Sequence, residues 1–165
     1  MPHRESGVAL VVALILLVIM TLVGLSALRT VTLEEKMTAQ TFDRSLSFQA
    51  AEAALREAEA LVEATVPTPA ALTPCVNGVC GAPNAAATAR WADSSFSGWH
   101  DAAAVANGPI SLTPQYIIEY LGNTFPCQPG TPSAGNDCKR YRITARSNAG
   151  ADRASVTLQS IFAAE

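Results

Sequence analysis

The chain has few groups suited to acid–base chemistry. It carries two histidines in 165 residues, so few side chains change charge near neutral pH. It has no H-E-x-x-H sequence, no glycine-rich phosphate loop and no arrangement suggesting a Ser-His-Asp triad. These absences argue against a metalloprotease, a phosphate-binding enzyme and a serine hydrolase. A strong charge of either sign is missing too. The net charge of −3 is too small to draw nucleic acid or an acidic membrane through its field. No proline lies between Pro2 and Pro67, and no charged residue lies between Gly7 and Leu28. The first absence leaves a helix unbroken, and the second removes the main cost of placing it in lipid.

What is present fits those gaps. Val8–Leu28 is a continuous apolar run of 21 residues, which as a helix reaches roughly 31 Å and crosses a bilayer. It passes into an alanine-rich amphipathic stretch. Leu33, Met37, Leu46, Ala50, Ala54, Ala58, Leu61 and Val62 recur there at helical spacing. Ala50–Ala64 has high helix propensity, and Glu52 stands four residues before Arg56, which suits an ion pair. The pattern predicts one helix of about 55 residues, ended by Pro67 and Pro69.

Ahead of the run stands Met-Pro-His-Arg-Glu-Ser-Gly. Arg4 and the α-amine are positive and Glu5 partly offsets them, which favours a cytoplasmic N-terminus. Arg29 and Lys36, beyond the run, weaken that bias. Leu25-Ser26-Ala27 would serve as a cut site for an ordinary secretory signal. The run is longer than the roughly 7–15 apolar residues of such signals, and the helix pattern continues through the cut. A plain uncleaved anchor is the other alternative.

A basic leader, a glycine, an apolar half-helix and a polar half-helix together resemble the N-terminal region of a type IV prepilin. The block LEEKMTAQTFDRSLSFQAAEAALREAE, Leu33 to Glu59, is similar to the helical region of minor pilins of the PilX type. The resemblance implies a 1–7 leader removed by prepilin peptidase after Gly7, leaving Val8 as the N-methylated terminus. It implies an 8–28 half-helix that anchors first and later enters a filament core, and a 29–65 amphipathic half-helix. Leu33, Met37, Leu46, Ala50 and Ala54 would pack against other subunits. Residues 66–165 would form a small periplasmic domain, on a protein held first in the inner membrane and then in the pilus.

Two positions depart from the family pattern: Val8 replaces the usual phenylalanine, and Val12 stands where the family usually carries glutamate. A carboxylate within a membrane needs a partner, and in the family that partner is thought to be a subunit's terminal amine. A subunit without it fits best at a filament tip. The implied role is a minor pilin that primes pilus assembly in a tip complex. Its implied partners are other minor pilins, the major pilin and a tip adhesin. A minor pseudopilin of type II secretion is the nearest alternative.

The rest of the chain reads as one small α+β domain. Four cysteines, Cys75, Cys80, Cys127 and Cys138, all lie beyond the apolar run and read as a disulfide framework. Spacing leaves three pairings open; the local pairs Cys75–Cys80 and Cys127–Cys138 are favoured. Zinc fits poorly, because four and ten residues intervene within these pairs where zinc sites use shorter spacings. No metal or cofactor is expected. Asn77-Gly78 centres a tight turn. Asp93 or Ser94 reads as the cap of a short helix, with Trp91 and Phe96 in the core or, alternatively, in a patch for a partner subunit.

Pro114–Leu121, Lys139–Ser147 and Arg153–Phe162 read as strands, the second with Arg140, Arg142 and Arg146 on one face and Tyr141, Ile143 and Ala145 on the other. The PilX-type minor pilins end in strands of this character. Lys139 and Arg153 extend the basic group, but Tyr141 faces away from the arginines, so the aromatic interleaving of a nucleic-acid surface is missing. The resulting fold is a long N-terminal helix packed on a small antiparallel sheet.

Overall fold

The computed structural model describes residues 6–71, 73–127, 138–148 and 150–164. Arg4, Glu5 and most of the Phe125–Asp137 loop lie outside the described residues. One helix, α1, runs Ser6–Thr65. The chain divides into two compact units at Phe42/Asp43. The first is helical throughout its described length, and its apolar side chains from Val8 to Leu25 are exposed.

The second unit begins with the last turns of α1 and has its own core. Its strands are β1 Val79–Cys80, β2 His100–Asp101, β3 Val105–Asn107, β4 Ile110–Leu112, β5 Gln115–Phe125, β6 Cys138–Arg146 and β7 Thr157–Ala164. The main sheet is ordered β1-β5-β6-β7, and β2 also pairs with β5. All pairings are antiparallel except β1 on β5, which is parallel. The expected antiparallel sheet is therefore mixed at one edge. The small hairpin β3–β4 stands apart.

Small residues let α1 lie close to the sheet. Ala54, Ala58 and Val62 are buried against Tyr116, Ile118, Tyr141, Ile143 and Ala145. Each fully buried isoleucine contributes about 1.5–3 kcal/mol. One turn earlier, Leu46 and Ala50 pack on Leu112, Val105 and Ile110 of the hairpin. The expectation that Leu46, Ala50 and Ala54 meet other subunits is thus corrected. They are 2%, 0% and 0% exposed within their own domain and offer no surface. Leu33 and Met37 are exposed.

Three further readings change. Trp91 is 49% exposed, and Phe96 meets Trp99 edge-on, outside the core. The short helix is a single 3-10 turn, Arg90–Ala92, and Asp93 follows it instead of capping its start. Asp93 instead accepts hydrogen bonds from the Ser95 N–H and hydroxyl, which hold its carboxyl below the ordinary range. The third long strand starts at Thr157, not Arg153, because Arg153 and Ala154 are drawn to Asp43 on α1.

Candidate functional site

In the apolar half of α1, no charge interrupts the surface from Gly7 to Leu25. Gly7 and Val8, the residues flanking the expected cut, are exposed, as is Val12. The hydroxyls are satisfied within the helix: Thr21 Oγ1 donates to the Val18 carbonyl at 2.8 Å and Ser26 Oγ to the Leu22 carbonyl at 2.9 Å. These bonds lower the cost of placing both side chains in hydrocarbon. Farther along, Val31, Ala39 and Phe42 line an open concavity edged by Glu34 and Glu35. The helix is long and apolar enough to cross a membrane by length and composition.

In the domain, three polar devices hold the connecting segments to this scaffold. The first lies on the sheet face away from α1. Glu119 of β5 is fully buried. Its Oε1 accepts from Arg90 Nη1 at 2.9 Å, and its Oε2 from Arg142 Nε and Nη2 at 2.7 Å. Arg90 Nη1 also donates to the Gly81 carbonyl at 2.8 Å. A buried carboxylate is tolerable only when paired and hydrogen-bonded, and here two guanidinium groups meet that need. The segment around Arg90 is thereby clamped over β5. Nearby, the Arg146 guanidinium lies 4.1 Å from the Trp99 ring centroid and donates from Nε to Gln115 Oε1 at 2.9 Å.

The second device joins α1 to the loop before β7. Asp43 Oδ2 accepts from the Ala154 N–H at 2.6 Å and Oδ1 pairs with Arg153 Nε, while Ser47 Oγ donates to the Ala154 carbonyl at 2.8 Å. The Ala154 N–H, followed by Arg153, holds the Asp43 carboxyl below its ordinary value of 3.8 against the opposing effect of burial. A carboxyl depressed on folding stabilises the fold above its unfolded pKa, and the gain is lost as pH falls through the folded pKa. Asp43→Asn is therefore expected to lower the urea midpoint at pH 6, with the gap to wild type closing as the pH is taken below the ordinary carboxylate range. A gap that stays constant from pH 6 to pH 2 would refute this role.

The third device fixes the chain where α1 ends. The Tyr141 hydroxyl donates to the Pro67 carbonyl at 2.8 Å. Burial, then the neighbouring Tyr120, pushes its phenol up to about 12, so it remains a donor at physiological pH. Disulfides join Cys75 to Cys80 and Cys127 to Cys138. Between the first pair, Asn77 and Gly78 both have positive φ, 49° and 79°, and Val76 and Val79 exchange both main-chain hydrogen bonds. This is the two-residue turn that Asn-Gly favours. A Cβ on Gly78 would meet His100 Cβ at 2.6 Å.

Four of the five basic residues from Lys139 to Arg153 are spent within the domain. Arg142 binds Glu119, Arg146 binds Gln115, Arg153 binds Asp43, and Arg140 Nη2 donates to the Pro126 carbonyl at 2.6 Å. Among the described residues, no three His, Cys, Asp or Glu side chains are grouped to hold a metal. Sequence reasoning missed the Glu119 clamp. Its signal was a lone carboxylate inside the apolar strand Tyr116–Leu121, in a chain whose arginines cluster nearby in sequence.

A long N-terminal apolar helix joined to a small sheet domain is a pilin-like α+β layout. The family model for the PilX N-terminal region matches residues 6–56. The model for the C-terminal region of type IV pilus assembly protein PilX matches residues 64–164. The chain belongs to the PilX family of type IV pilus minor pilins. This is a structural family, and its membership ties the chain to pilus assembly. No curated protein and no solved structure matched the chain.

Proposed function

We propose that this chain is a minor pilin that primes type IV pilus assembly as part of a tip complex. The observation that carries the proposal is Val12. A neutral side chain stands where an intramembrane carboxylate would neutralise a neighbour's amine, and a tip is where that service is least needed. In this reading, 1–7 is a leader, 8–28 the anchor and later filament core, 29–65 the polar half-helix and 66–165 the periplasmic domain. Prepilin peptidase cuts between Gly7 and Val8 on the cytoplasmic face, and Val8 is N-methylated.

The anchor then leaves the inner membrane for the filament. Leu33 and Met37 are exposed and available to neighbouring minor or major pilins, and a tip adhesin is a further partner. Catalysis has no part in this reading. The family matches favour a pilus over type II secretion.

Intact mass and N-terminal sequencing of membrane-isolated protein test the processing. A terminus at Val8 carrying one added methyl group is expected. An intact Met1 terminus would make the chain a plain anchored protein, and one at Leu28 an ordinary secreted domain. Immunogold labelling tests the tip placement, with label expected at filament ends. Label distributed along the shaft would overturn it.

A further inference from the structure

Among the described strands, β7 is the free edge of the main sheet. Its pairing with β6 is an uninterrupted register from Arg146↔Thr157 to Lys139↔Ala164. The Ser147 N–H donates to the Val156 carbonyl at 2.9 Å, which fixes the phase of the ladder. In an antiparallel pair, main-chain groups point toward the partner strand and away from it by turns. Val156, Leu158, Ser160 and Phe162 therefore face β6. Thr157, Gln159, Ile161 and Ala163 direct their N–H and C=O groups to the open side, where no described strand pairs with them.

Natural sheets blunt such edges with charges, proline or bulges. β7 reads Thr-Leu-Gln-Ser-Ile-Phe-Ala-Ala and has none of these. Ile161, near its middle, is 60% exposed. The opposite edge is different: β5 is already covered by β1 and β2.

We infer that β7 is a strand-addition site, taking an extended, uncharged segment of another protein that completes the main-chain ladder and sets an apolar side chain beside Ile161. Main-chain geometry specifies an extended polypeptide as the occupant. A second copy fits poorly. Antiparallel β7–β7 pairing has a two-fold axis normal to the sheet, which reverses every direction in the sheet plane. The Asp43–Thr65 part of α1 lies along the sheet face through Ala54, Ala58 and Val62. The chains leading to the two anchors would leave from opposite ends, unlike subunits held in one membrane. The inference rests on the proposed role in pilus assembly.

The test uses the full-length protein expressed in its own cells. Ile161→Pro removes one outward donor and no bond to β6, as edge strands tolerate. Ala163→Lys sets a charge on the edge, and Ile161→Val is the control. The first two variants are expected to reduce pili at least tenfold, with membrane level, N-terminal processing and the urea midpoint in detergent within error of wild type. Ile161→Val is expected to assemble normally.

Normal piliation by Ala163→Lys, or by Ile161→Pro with an unchanged midpoint, would overturn the inference. So would a wild-type homodimer, seen by light scattering in detergent and lost in Ala163→Lys. Deleting the gene separates the two ideas. If deletion leaves piliation intact, the assembly role itself fails. If deletion abolishes pili and both edge variants assemble, only the strand-addition site fails.

Discussion

Replacing Glu119 with alanine is expected to lower domain stability by about 3–5 kcal/mol, because it leaves two arginines without their buried counter-charge. Arg90 and Arg142 keep 18% and 23% side-chain exposure, so both can turn partly toward water, and the lower end of that range is the expected value. Urea unfolding followed by tryptophan fluorescence measures the change. Trp91 and Trp99 both lie in the domain, and at about 1–3 kcal/mol per molar urea the midpoint should fall by about 1 M or more. Replacing the whole cluster (Arg90→Met, Glu119→Leu, Arg142→Met) should cost much less, since no charge is then left unpaired. A single-variant loss under about 1 kcal/mol would place the cluster with exposed ion pairs and refute the clamp.

Removing the Cys127–Cys138 bond, by serine at both positions, is expected to cost about 3 kcal/mol. That value follows from the loop entropy released by a sequence separation of 11. The bond also closes the far end of the β5–β6 pair, where Phe125 lies opposite Cys138. Removing Cys75–Cys80, with a separation of 5, should cost less than about 2 kcal/mol. The Asn77-Gly78 turn already brings its ends together. A reducing agent should lower the wild-type midpoint by the combined amount and leave the four-serine variant unchanged. Equal midpoints for wild type with and without reductant would contradict both assignments.

The three long strands and the helix were legible because their signals are local, whereas the two- and three-residue strands β1 to β4 are too short to carry such a signal. Hydropathy without charge marks Val8–Leu28, aromatic and β-branched content marks β5, and alternation marks β6. The absence of proline before Pro67 keeps α1 whole to Thr65. Asn77-Gly78 specifies its turn through two residues that tolerate positive φ.

Only the tertiary structure decided which residues own each other. Leu33, Met37, Leu46, Ala50 and Ala54 share one periodicity, yet the last three are buried in the domain and the first two are exposed. Periodicity reports which face of a helix is apolar and says nothing of what covers it. Glu119 meets Arg90 across 29 positions, and Arg153 meets Asp43 across 110. No spacing rule spans such distances, because the chain's path between the partners is set by the packing of every element it crosses. The parallel seat of β1 on β5 and the exposure of Trp91 follow from that same packing.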